Sequence, residues 1–168
     1  MLSAVLFLRL VRPARVAALK SGRAVVEGRV VAPRTLSIAG SPSRPVWFDM
    51  TVESYQTGNR GRGRPMWIPT SADQQVVPFA IDDGTGTVWV AAAAGAYRIG
   101  GGVRREVGRA GRRSGSRFVA SLILPGDVVR VRGEVGDALG DEPPGKVLRG
   151  SAQRPLEILF RKAGRTPV

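Results

Sequence analysis

A chain of 168 residues with 43% apolar content is long enough for one domain with a real core. It has neither cysteine nor histidine, which removes thiolate and imidazole metal sites, cysteine nucleophiles, disulfides and histidine-based triads, and with them most common catalytic chemistry. Its net charge of +13 favours anionic partners such as nucleic acid or an acidic membrane surface, although only three of the 26 basic residues are lysines, a bias that a GC-rich genome produces without any selected partner.

The chain begins with an apolar run, Leu2 to Leu8, followed by Arg9, Arg12 and Arg15 around Pro13. That run is far short of the ~20 apolar residues a spanning helix needs. Its charge follows the apolar stretch, whereas a signal peptide carries charge before it. Residues 1–20 therefore form an apolar and basic segment with three accounts open: the end of a membrane helix, a membrane-surface segment, or a short helix packed on the domain. The first two give a membrane-associated protein whose arginines keep the domain on the cytoplasmic side. If the N-terminus is complete, a soluble cytoplasmic protein is expected.

From Ala24 the dominant period is two, the signature of strands with one buried face. Ala24, Val26, Gly28, Val30 and Ala32 share a face, with Glu27 and Arg29 pointing away. Next, Val46, Phe48, Met50 and Val52 are expected inward and Trp47, Asp49, Thr51 and Glu53 outward. Val77, Phe79 and Ile81 follow, then Val88 and Val90, then Val129, Val131 and Val135 against Arg130, Arg132 and Glu134. Pro155 to Phe160 reads as a short apolar strand or helix turn. Two insertions, residues 56–75 and 99–117, are rich in Gly, Ser, Pro and Arg and read as mobile, exposed, positive loops. The expected fold is all-β: an OB-like small barrel or sandwich of about five to six strands, with a short N-terminal helix and long Arg/Gly-rich loops. Residues 21–161 form the β-domain and 162–168 a C-terminal tail.

Asp82-Asp83-Gly84-Thr85-Gly86 is the stretch most like a site. A phosphate-binding glycine loop opens a helix, but here Thr87, Val88, Trp89 and Val90 continue as a strand. A calcium loop needs a longer series of oxygen ligands. Asp83 and Gly84 suit a tight hairpin turn with positive φ, and Gly86 a bulge or kink. Leu124 to Val129 likewise reads as a Pro-Gly turn leading into a strand. The remaining carboxylates, Asp49, Glu53, Asp127 and Glu134, have no spacing that forces two together. No catalytic residue, cofactor, metal ligand or small-molecule substrate is expected. The candidate contacts to an anionic surface are Arg9, Arg12, Arg15, Arg104, Arg105, Arg109, Arg112, Arg113 and Arg117, with Trp47, Trp67 and Trp89 as stacking faces should the anion be a polynucleotide.

The segments AALKSGRAVVEGRVVAP, SPSRPVWFDMTVE, VPFAIDDGTGTVWV and LILPGDVVRVRGEV, spread in this order over residues 17–160, resemble the GIDE or beside-a-membrane domain of the mitochondrial ubiquitin ligase activator family and its prokaryotic relatives. The resemblance implies a β-rich interaction platform next to a membrane, with a protein partner or an anionic membrane surface as its ligand. Ligase activity in that family comes from a RING finger, and a chain without Cys or His has no ligands for its zinc. Val46 also stands where the family commonly has cysteine. The expected function is thus a non-catalytic, membrane-proximal interaction domain. The alternative is an OB-fold protein that binds single-stranded nucleic acid through its basic loops.

Overall fold

Val26 and Val30, on one face of the first strand, make the first wall of a closed barrel, and two later strands of that barrel repeat the alternation with Phe79 and Ile81 and with Val88 and Val90. The computed structural model describes residues 11–57, 65–92, 96–110 and 115–164, which contain eleven strands. Five form the ring: β1 (Gly22–Val31), β4 (Phe79–Asp82), β5 (Thr87–Ala91), β10 (Lys146–Arg149) and β9 (Val128–Asp137), which returns to β1. All neighbours in the ring are antiparallel except β5 and β10, which run parallel with Val147 opposite Trp89. The all-β, OB-like barrel expected from the period-two pattern is present. Its interior is filled by Val26, Val30, Phe79, Ile81, Val88, Val90, Val131, Val135 and Leu148. Closure pairs both edges of β4 and β5 within the ring.

Gly28 is required where β1 passes close to β4. A Cβ there would lie 2.3 Å from the carbonyl oxygen of Asp82, a backbone atom with no freedom to withdraw.

The described residues of the two segments expected as loops are largely strands, while residues 58–64 and 111–114 lie outside the described residues. Residues 56–75 contain most of β3 (Met66–Val76), which forms a hairpin with β2 (Trp47–Gln56) inserted between β1 and β4. Residues 99–117 contain β7 (Arg104–Arg109), paired with β8 (Ser116–Ile123) in a second hairpin inserted between β5 and β9. Pairing of β2 with β8, from Trp47 opposite Ile123 to Ser54 opposite Ser116, joins the hairpins into a four-stranded sheet ordered β3-β2-β8-β7. Phe48, Phe118, Ala120 and Leu122 line one face of it, covered by Leu36 and Ile38. Finally, β11 (Leu156–Lys162) pairs with β9, and β6 (Tyr97–Gly100) runs parallel beside β11.

Trp47 is a second correction: it is buried, not outward. The alternation along β2 is as expected, with Trp47 and Phe48 on opposite faces. At the start of β2, however, both faces are covered. Trp47 joins the barrel core while Phe48 joins that of the second sheet. Of residues 1–20, where a short N-terminal helix is expected, 1–10 lie outside the described residues and 11–20 are extended, with one 3₁₀ turn at Val16–Ala18. No helix among the described residues is long and apolar enough to cross a membrane.

Candidate anionic-surface interface

The Asp82–Gly86 corner is built from its own backbone. Gly84 adopts φ +83°, and its amide donates to Asp82 Oδ1 at 2.7 Å. Asp83 Oδ1 accepts from the amide (2.8 Å) and hydroxyl (2.7 Å) of Thr85, and Oδ2 accepts from the amide of Val16 (2.8 Å). Partial burial pushes the Asp83 carboxyl up. The Thr85 hydroxyl and the amides of Val16, Thr85 and Gly86 outweigh it and hold the group below its ordinary value. Gly86, expected at a bulge or kink, sits against Val16: a Cβ there would meet the valine side chain at 3.4 Å.

This corner is one anchor of a strap formed by residues 11–18. Ala14 N–H donates to the carbonyl of Val25 (2.8 Å) and Ala17 N–H to Thr85 Oγ1 (3.2 Å). Arg130 Nη1 donates to the carbonyl of Val11 (3.1 Å) while its Nε bonds Glu27 (2.6 Å). Val11 packs on Val25 and Leu159. The strap leaves Arg12 and Arg15 exposed. Arg12 and the exposed Arg23 line a shallow depression of about 430 Å³, floored by Ala24 and Val25.

The other candidate arginines separate into distinct environments. Arg104 is committed to the fold. Its guanidinium bonds the fully buried Asp127 (Nε–Oδ1 3.0 Å) and the carbonyl of Gly164 (2.6 Å), while the amides of Leu124 and Gly164 donate to the same carboxylate. Arg117 is ion-paired with Glu53 at 2.7 Å, and its guanidinium stacks 4.2 Å from the centre of the Trp67 ring. Arg105 and Arg109 are exposed on β7; Arg109 lies directly opposite Arg117 and Arg105 opposite Ser121. Arg9, Arg112 and Arg113 fall outside the described residues.

Because directly opposed residues share a face, the register assembles a surface that sequence reading missed. Tyr55 and Trp67 pair at one end of the uncovered face of the second sheet, ring centres 5.2 Å apart, followed by Glu53 and Arg117, then Arg109, Val107 and Arg105. Trp67 and Tyr55 lie more than ten positions apart, and only knowledge of the β2–β3 pairing would have joined them. Of the other stacking candidates, Trp47 is in the core and Trp89 is half-buried on the outer wall of β5. Among the described residues no group of three or more Asp and Glu side chains is placed to hold a metal ion. No family model, curated protein or solved structure matches this chain.

Proposed function

We propose that this protein is a non-catalytic interaction domain that works beside an anionic membrane surface, as its resemblance to the GIDE domain implies, and on the cytoplasmic side, as the arginines after its apolar run favour. The observation that carries the reading is the strap. Its backbone is tied to β1, to Asp83 and Thr85 and to Arg130, which leaves Arg12 and Arg15 exposed, with Arg12 beside the exposed Arg23. A membrane reached by the apolar run before Val11 would meet these cations first. Each basic residue near an acidic surface contributes about 1 kcal/mol, so these three exposed arginines are enough for reversible attachment. The carboxylates at the corner and at the Pro-Gly turn are engaged by backbone donors, which supports a structural use for them.

Flotation with anionic and neutral vesicles tests this. Recovery should favour anionic vesicles, and the triple variant Arg12→Gln/Arg15→Gln/Arg23→Gln should weaken binding on the order of a hundredfold. Equal recovery with both vesicles, or no change in the variant, overturns it.

A second reading, single-stranded nucleic-acid binding, is favoured by the Tyr55–Trp67–Arg117 stack in line with Arg109 and Arg105, since flat rings beside cations accept bases and phosphates together.

A further inference from the structure

We propose that the groove over Trp89 is a docking site for a proline-bearing segment of a partner protein, in the polyproline II conformation. The inference rests on the interaction-domain reading and gives that domain's partner a chemistry. Trp89 alternates outward on β5 between the buried Val88 and Val90, and it stands across from the small Ala80. The connection from β1 to β2, the residues leading into β4 and the loop between β9 and β10 rise around the ring. Together they enclose about 540 Å³ walled by Pro33, Pro78 and Pro143. This is a concave, mostly apolar site of the size that binds a few residues of peptide.

The backbone decides what form the occupant takes. Both edges of β4 and of β5 are already hydrogen-bonded within the closed ring, so no strand can be added beneath the groove. Proline walls offer no amide donors either. An occupant whose backbone needs pairing would be left unsatisfied, whereas a polyproline II segment keeps its polar backbone in water and presents ring faces to Trp89.

The ions at the rim supply polarity. Around the β9–β10 loop, Asp137 at the end of β9 is paired with Lys146 (2.6 Å) and Glu142 in the loop with Arg149, which leaves the loop's Asp141 exposed with no ion pair among the described residues. Arg34, on the other loop lining the groove, is likewise exposed and unpaired among them. Two unpaired charges of opposite sign fit a segment with a basic residue at one end and an acidic one at the other. The acid at this rim disfavours a phosphate backbone.

The test uses the full chain and three synthetic peptides: hexaproline flanked by arginine and glutamate, hexaproline flanked by glutamines, and a Gly/Ser hexamer with the charged flanks. Calorimetry and amide chemical-shift mapping should show the charged hexaproline binding, with shifts around Trp89. The glutamine-flanked peptide should bind several-fold more weakly and the Gly/Ser peptide at least tenfold more weakly. Trp89→Ala should lose binding. Asp141→Arg, on an exposed loop where the fold does not depend on it, should weaken the charged hexaproline several-fold, and adding Arg34→Glu to it should restore binding. Absence of hexaproline binding, equal binding of the Gly/Ser peptide, or shifts elsewhere on the surface overturns the proposal. Vesicle flotation without peptide scores the membrane reading separately, so either can fail alone.

Discussion

Asp83 accepts a hydrogen bond from the backbone amide of Val16, 67 positions earlier in the chain, and so fastens the strap to the β4–β5 hairpin. Asp83→Ala would leave that amide and the Thr85 donors without their acceptor. The expected cost is about 1–3 kcal/mol, read as a lower urea midpoint, with faster hydrogen exchange at Val16. Anionic-vesicle binding should weaken as well, because Arg12 and Arg15 lose their fixed placement.

The same carboxylate gives a pH dependence. Its folded-state value lies below its ordinary 3.8, so as pH falls the unfolded chain takes up the proton first. The stability this group contributes is complete above the ordinary value and is lost as pH drops through the folded one. An acid titration followed by NMR should show the Val16 amide shifting with a midpoint below that of an ordinary aspartate, and the effect should vanish in Asp83→Asn.

Asp127 is fully buried, whereas Arg104 is partly exposed. Arg104→Ala strands a buried carboxylate and is expected to destabilise by about 3–5 kcal/mol; Asp127→Ala leaves the amides of Leu124 and Gly164 without their acceptor, at about 1–3 kcal/mol. The exposed Arg105→Ala should change stability by less than about 0.5 kcal/mol. Chemical denaturation of the three variants checks the contrast.

Gly28→Ala introduces a Cβ against the Asp82 backbone. The strands must separate or the barrel must bend differently, at about 1–3 kcal/mol. A neighbouring exposed change on the same strand, Arg29→Ala, should be close to neutral. Thermal melts of both would show whether the close approach is required.

For the nucleic-acid reading, oligo(dT) binding should weaken as salt rises, with the slope reduced by about 0.7 for each of Arg105→Gln and Arg109→Gln. Trp67→Ala should cost about 1–3 kcal/mol of binding. No binding at low salt retires that reading.

The barrel was legible because its strands bury one face. Val26 and Val30, Phe79 and Ile81, and Val129 to Val135 announce themselves by period, and the Asp83-Gly84 turn by its chemistry. The second sheet was not. β3 reads Pro-Thr-Ser-Ala-Asp-Gln-Gln over much of its length and β7 is arginine-rich, so neither carries an apolar alternation. They are strands because β2 and β8 offer them a ladder. Trp47 was placed on the correct face, but nothing local tells that this face meets the barrel. Arg104 looked like one member of a run of cations. Its partner Asp127 lies 23 positions away, and that pairing depends on how the turn at Gly126 is folded.

The ring's closing strand is β10, which slots between β5 and β9, and β1 meets its partner β9 more than a hundred residues downstream. A nascent chain therefore cannot complete the barrel until Arg149 has cleared the ribosome. Until β9 has emerged, Val26 and Val30 on β1 lack that side of their enclosure. Such long-range closure slows folding, and the waiting apolar surface is what chaperones recognise. Synthesis of this protein in a reconstituted translation system should yield soluble product in greater proportion when a general chaperone is supplied.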